Sequence, residues 1–186
     1  CACLVGSEMC IRDSNGGYAT GSGWRDEPLY TQNFPLKCGK GSAYEGGIRE
    51  PMIVRWPGTV QPGTRCNDYL IIEDFYPSIL EMAGIDDYDV PQEIDGISFV
   101  PLLKQTKNPS QGRSLYWNCP NIWGEKGPGI GPSCTIRKDN WKMIYFYETG
   151  EKELYDIPND IEENNNVAAL YPQIINKLSK ELGKFL

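Results

Sequence analysis

Near the C-terminal end of the chain, short runs of β-branched and aromatic residues alternate with polar turns. Ser114–Asn118, Cys134–Arg137, Trp141–Glu148 and Glu153–Ile157 have strand composition, and the turns Lys138-Asp139-Asn140 and Thr149-Gly150 separate the last three. Consecutive strands with short turns predict an antiparallel meander. Tyr171, Ile174, Ile175, Leu178, Leu182 and Phe185 then recur at helical spacing, with Pro172 admissible in the first turn, and predict a closing amphipathic helix. The pattern upstream is different. Residues 15–47 are glycine-rich loop, and Pro51-Met-Ile-Val-Arg-Trp-Pro57 is a proline-bounded apolar run that fits a strand buried on both faces of a parallel sheet. Residues 74–84 predict a helix capped by Asp74 and ended by Gly84. Phe75, Ile79 and Ala83, with Leu80 and Met82 beside them, would form its core-facing stripe. Apart from 97–103, residues 85–113 read as surface connection. The acidic run of Asp156, Asp160, Glu162 and Glu163 predicts a solvated loop. The result is an α/β end followed by a small α+β unit, without internal repeats.

Charge narrows the function classes. With 18 Lys+Arg against 25 Asp+Glu in 186 residues, the net charge of −7 argues against a basic nucleic-acid-binding face. No apolar run approaches the roughly 18 residues a membrane span needs. Histidine is absent, which removes the Ser-His-Asp and Cys-His triads and most zinc sites from this chain. The seven cysteines (Cys1, Cys3, Cys10, Cys38, Cys66, Cys119, Cys134) form no CxxC and read as scattered thiols, with a Cys119–Cys134 disulfide left open. The potential acceptor Asn108-Pro109-Ser110 is blocked for N-glycosylation by its proline. Residues 1–14 lack the layout of a signal peptide and resemble translated sequencing-adapter sequence, so informative protein is expected from about Asn15.

Three places could carry chemistry. In Cys38-Gly39-Lys40-Gly41-Ser42, a lysine between glycines can bring an ammonium and exposed N–H groups onto an anion. A P-loop is excluded, because Phe34 and Gly41 stand where glycine and Ser/Thr would be needed; an ordinary glycine turn is the alternative. In Asn15-Gly16-Gly17 an amide oxygen could serve a hard cation such as Ca²⁺, or the segment is simply a turn. Tyr116, Trp117 and Asn118, with Trp123 and Arg137, combine aromatic faces with amide and guanidinium donors suited to a sugar or an anion. Core packing of strand aromatics is the competing account.

Ordered along the chain, these segments form a family pattern: Asn15-Gly-Gly, Gly39-Lys-Gly-Ser-Ala-Tyr-Glu-Gly-Gly-Ile-Arg-Glu-Pro-Met-Ile-Val-Arg-Trp-Pro-Gly58, Asp74-Phe-Tyr-Pro-Ser-Ile-Leu-Glu-Met-Ala-Gly84, Asp95-Gly-Ile-Ser98, Ile136-Arg-Lys-Asp-Asn-Trp-Lys-Met-Ile144 and Glu153-Leu-Tyr-Asp156. Over about 15–186 the chain resembles the C-terminal part of a type I sulfatase (arylsulfatase-like, alkaline-phosphatase superfamily), in the style of bacterial enzymes that desulfate glycans. The resemblance implies the end of an alkaline-phosphatase-like α/β sandwich over 15–112 and a C-terminal antiparallel-sheet subdomain with closing helix over 113–186, after the doubtful segment 1–14.

It further implies hydrolysis of sulfate esters of glycans or aryl groups, a formylglycine nucleophile, Ca²⁺ and an extracytoplasmic location. Lys40 would contact sulfate, Asn15 would be the amide ligand of Ca²⁺, and Tyr116, Trp117, Asn118 and Arg137 would line the substrate cleft. The chain departs from the pattern in three respects. It reads Asp13-Ser14-Asn15-Gly16-Gly17 where the family has Ser-Asp-Asn-Gly-Gly, so Asp13 is out of register and is not assigned as a ligand. No cysteine stands in a C/S-x-P/A-x-R motif, and Asn118 occupies a position where such enzymes often have histidine. The nucleophile is therefore expected outside this chain, and the 186 residues alone are expected to be inactive. A phosphate or phosphonate ester hydrolase of the same superfamily, and a non-catalytic glycan-binding module, are the alternatives.

Overall fold

The computed structural model describes residues 33–85, 87, 89–121 and 128–186, together with the backbone of 2–3 and 10–12. Asn15, with Asp13 and Ser14 before it, and Trp123 lie outside the described residues. Contacts divide the chain into two compact units: Cys1–Arg12 with Met52–Arg113, and Asp13–Pro51 with Ser114–Leu186.

In the first unit, β1 (Ala2–Cys3), β2 (Cys10–Arg12) and β3 (Ile53–Arg55) form an antiparallel sheet in that order. The run between Pro51 and Pro57 thus forms a strand as expected, but it is an antiparallel edge strand with Ile53 66% exposed, not one covered on both faces. An apolar run fixes a preference for burial, while the neighbours decide whether burial happens. Helix α2 (Phe75–Met82) ends before Gly84, whose φ of +71° suits the turn out of the helix. Its predicted stripe is corrected: Ile79 and Ala83 are exposed, and the buried positions are Asp74, Pro77 and Ser78.

Polar chemistry chose that face. The wholly buried Asp74 carboxylate accepts from both the Ile71 and Ile97 N–H groups and pairs with Arg113 at 2.7 Å, instead of capping the helix. The Ser78 hydroxyl donates to the Asp74 carbonyl and accepts from the Phe99 N–H. Phe99 and Val100, the latter opening the short α3 (Val100–Leu103), are fully buried beside Phe75. Gly96 lies so close to the Glu73 carbonyl that a Cβ would stand 2.0 Å from its oxygen, which accounts for the glycine in Asp95-Gly-Ile-Ser98.

The second unit contains the predicted meander. Strands β4 (Ser114–Cys119), β5 (Ser133–Lys138), β6 (Trp141–Phe146) and β7 (Lys152–Asp156) pair antiparallel in sequence order. Asp139 at φ +50° and Gly150 at φ +71° make the two tight turns. Helix α4 (Pro172–Phe185) lays Leu178 and Leu182 on Cys134, Ile136, Met143 and Leu154. Burying each of those leucines contributes about 1.5–3 kcal/mol. The opposite sheet face carries Ile144 and Tyr155, which cluster with Tyr44 and Ile157 and with Cys38 and Ala43 beside them. The glycine-rich segment therefore covers that face. Cys119 and Cys134 are both free; Cys134 pairs in register with Asn118 and Cys119 with Ser133. Alternation then sends neighbouring side chains to opposite faces, so no disulfide joins them.

Candidate functional site

Lys40 sits on a tight loop whose glycines are required by contact. The loop runs into α1 (Glu45–Ile48), and the Gly46 N–H donates to the Lys37 carbonyl at 3.0 Å. A Cβ on Gly46 would stand 2.4 Å from both the Lys37 and Cys38 carbonyl oxygens, and one on Gly47 would stand 2.2 Å from that of Ser42. Real Cβ contacts are essentially never that short, so the pair Gly46-Gly47 is what lets the helix turn lie against the Lys40 loop. Gly41, at φ +95°, closes the turn after the half-buried Lys40. On the far side, the Ala43 N–H donates to the Gly129 carbonyl, and Gly129 faces the Tyr44 ring at a distance no side chain could occupy.

Below the loop lies a buried charge network. Lys142 of β6 has a wholly buried side chain and meets Glu45 Oε1 at 3.0 Å and Glu163 Oε1 at 2.9 Å. Glu163 Oε2 accepts from the Glu45 N–H at 2.6 Å. Burial pushes the Glu163 carboxyl above its usual range, while the Lys142 charge and the Glu45 N–H pull the other way. The Lys37 ammonium donates to the Glu163 carbonyl at 2.9 Å and lies 3.9 Å from the Tyr44 ring centroid. Tyr44 and Tyr155 both donate phenolic protons to Glu153, at 3.3 and 2.8 Å. Burial, then the Glu153 charge and hydrogen bond, raise both phenols.

Strand register sorts the predicted site residues. Trp117 pairs with Thr135 and Arg137 with Leu115 and Lys142, so Trp117 and Arg137 share the face covered by the Lys40 loop. Tyr116 and Asn118 project on the α4 face. Tyr116 stacks on Phe185 with centroids 4.5 Å apart, and Asn118 accepts from the Tyr147 hydroxyl at 2.8 Å. Glu45, Lys142 and Glu163 were not singled out from the sequence. Glu45 stands inside the family motif. Lys142 stands in the family segment Ile136–Ile144, as a lysine within the aromatic strand Trp141–Phe146, and Glu163 was read only as part of the acidic run. The acidic run expected to be solvated is corrected at that residue: Glu163 is fully buried, because Lys142 and the Glu45 N–H take the place of water. Among the described residues no three His, Cys, Asp or Glu side chains converge to hold a metal ion, so those residues do not by themselves fit a Ca²⁺ cage. No helix among them is long and apolar enough to cross a membrane.

Residues 38–185, which include the Lys40 loop, the sheet and α4, match the family described as N-sulphoglucosamine sulphohydrolase, C-terminal. The chain belongs to that sulfatase family. A sulfatase of Formosa agariphila is 32% identical over 150 residues, covering 76% of this chain and 27% of the relative. Human arylsulfatase K is 30% identical over 152 residues, covering 79% and 27%. Among solved structures, Ps i-CgsB in complex with k-i-k-neocarrahexaose superposes with a TM-score of 0.76 at 27% identity, over 95% of this chain and 36% of that one. The chain thus spans between 27% and 36% of the length of these proteins. A phosphonate monoester hydrolase from Silicibacter pomeroyi, 21% identical with a TM-score of 0.60, shares the fold. The expected fold class, an alkaline-phosphatase-like α/β end followed by an antiparallel sheet and C-terminal helix, is borne out.

Proposed function

We propose that this chain supplies the C-terminal part of an enzyme that hydrolyses sulfate esters, of glycans or aryl groups, with Lys40 as its contact to the sulfate. The observation that supports this reading is the loop itself. Gly46 and Gly47 are sterically obligatory, and the motif they close holds one lysine on a turn braced by the sheet. An ammonium held there neutralises charge that builds on the sulfate and the leaving oxygen as the S–O bond breaks. Trp117 and Arg137, on the face the loop covers, are the proposed substrate-lining pair; Tyr116 and Asn118 stand on the α4 face. Asn15 is the proposed amide donor to Ca²⁺, a role for which an uncharged oxygen is well suited. A formylglycine nucleophile and an extracytoplasmic location complete this reading, both supported by the likeness to sulfatases.

The test uses the longer protein that contains this chain, with 4-nitrophenyl sulfate and sulfated oligosaccharides as substrates. Lys40→Ala is expected to lower kcat/KM by about 10²–10³, the loss typical of one preorganised electrostatic contact. Its fold should be retained, as read by circular dichroism. Undiminished turnover would remove Lys40 from the site. Faster turnover of phosphonate monoesters than of sulfate esters would move the reading to the related hydrolases that share the fold. Neutral-sugar binding without turnover, insensitive to Lys40→Ala and to chelators, would favour a glycan-binding module.

A further inference from the structure

Both stems of the Lys40 loop are tied to the same residue. On the incoming stem, the Lys37 ammonium donates to the Glu163 carbonyl at 2.9 Å; on the outgoing stem, the Glu45 N–H donates to the Glu163 carboxylate at 2.6 Å. The Gly46 N–H, bonded to the Lys37 carbonyl at 3.0 Å, closes the loop between these ties, and Lys40 lies inside it. To offer its carbonyl to one stem and its carboxylate to the other, Glu163 adopts φ +51°, a left-handed conformation uncommon for a residue with a Cβ. Asp160 supports that turn. Its carbonyl accepts from the Glu163 N–H, and its carboxylate accepts from the Asn164 and Asn165 N–H groups. From the sheet, Lys142 supplies the counter-charge at 2.9 Å.

A buried ion network of this kind is an uneconomical way to stabilise a fold, since apolar side chains of equal volume usually do as well or better. Placing a non-glycine residue in a left-handed turn adds strain. What such a network does provide is direction: hydrogen-bonded charges fix angles and separations that apolar contacts leave free. We propose that Glu163 is the positioning residue of the Lys40 loop, holding Lys37 and Glu45 at a set separation over the sheet, with Lys142 as its counter-ion. Its catalytic consequence rests on the sulfate-contact reading of Lys40; its mechanical consequence does not.

The mechanical part is tested by amide hydrogen exchange on the 186-residue chain. In the volume-matched pair Lys142→Met with Glu163→Leu, exchange at Ser42, Ala43 and Gly46 is expected to rise at least ten-fold, while β5 and β6 keep their protection. Unchanged exchange at those three amides overturns the proposal. If the pair fails to fold, Glu163→Gln is read in the same way. The catalytic part is tested in the longer enzyme with 4-nitrophenyl sulfate. Glu163→Gln is expected to lower kcat about ten-fold with KM little changed, and to have no further effect in a Lys40→Ala background, because both changes would act through the same ammonium. Fully additive losses overturn the proposal. A silent Lys40→Ala alongside accelerated loop exchange would instead retire the sulfate-contact reading and leave the positioning intact.

Discussion

On the α4 face of the β4–β7 sheet, Cys134, Ile136, Met143 and Leu154 meet Leu178 and Leu182, and the Lys138–Glu181 pair at 2.6 Å lies outside that cluster. On the opposite face, Ile144 and Tyr155 share space with a fully buried lysine, its two glutamate partners and a third carboxylate bridging two phenols. The apolar face holds the sheet and helix together through non-directional contact, which tolerates small shifts. The polar face holds a loop whose geometry matters, through bonds that do not. One face secures the fold, and the other sets a position.

The largest effect expected is from Lys142→Ala, which leaves Glu163 and Glu45 buried without a counter-charge and should cost about 3–5 kcal/mol. Chemical denaturation of the chain measures it. Lys142→Met alone should lose a similar amount, and adding Glu163→Leu to it should recover the share due to Glu163, since Glu45 keeps Arg49 at 3.9 Å; a pair as unstable as Lys142→Met alone would mean the charges themselves hold the fold, and the contrast between the faces would collapse. On the α4 face, Ile136→Val removes one methylene from a packed site and should cost about 0.5–1.5 kcal/mol by the same measurement. No change in loop exchange should accompany it.

The smallest effect separates the faces by pH. Burial raises Glu163, outweighing Lys142, so the native state holds that proton more tightly than the unfolded chain does. Its contribution is fully present below the unfolded value near 4.5 and is lost as pH rises through the folded one. Glu181 behaves oppositely. Burial alone would raise it, but the bonds from Lys138 and Ser114 prevail and lower it, so its contribution is present above about 4.5 and lost as pH falls. Melting temperatures from pH 3 to 8 should therefore show Glu181→Gln destabilised above pH 4.5, by under about 1 kcal/mol, and matching the parent in acid. Glu163→Gln should instead compare best with the parent at the alkaline end. Parallel curves for the two variants would deny that the faces differ electrostatically.

Much of the second unit was legible because its signals are local. Alternation marked β4 to β7 within two residues, and the spacing of Ile174, Leu178 and Leu182 marked α4. The Lys40 loop was legible as a motif, although the purpose of its glycines was not: Gly46 and Gly47 are explained only by carbonyls five to nine residues back along the folded chain. The first unit was harder to read. The stripe of Phe75, Ile79 and Ala83 pointed to an apolar buried face, whereas the Asp74–Arg113 pair, 39 residues apart, turned another side inward. Propensity and periodicity weigh neighbours along the chain, and neither registers a partner that distant.

The sequence by itself determined the meander, the closing helix, the glycine-rich motif around Lys40 and the family to which they belong. Only the tertiary structure decided which strand residues share the loop's face, separating Trp117 and Arg137 from Tyr116 and Asn118, and which of several acidic residues in a charged run is buried. The physical reason is common to both. A strand's alternation says that two faces differ without saying what will cover each, and a glutamate is stable in the interior only where a distant lysine and a backbone N–H converge on it.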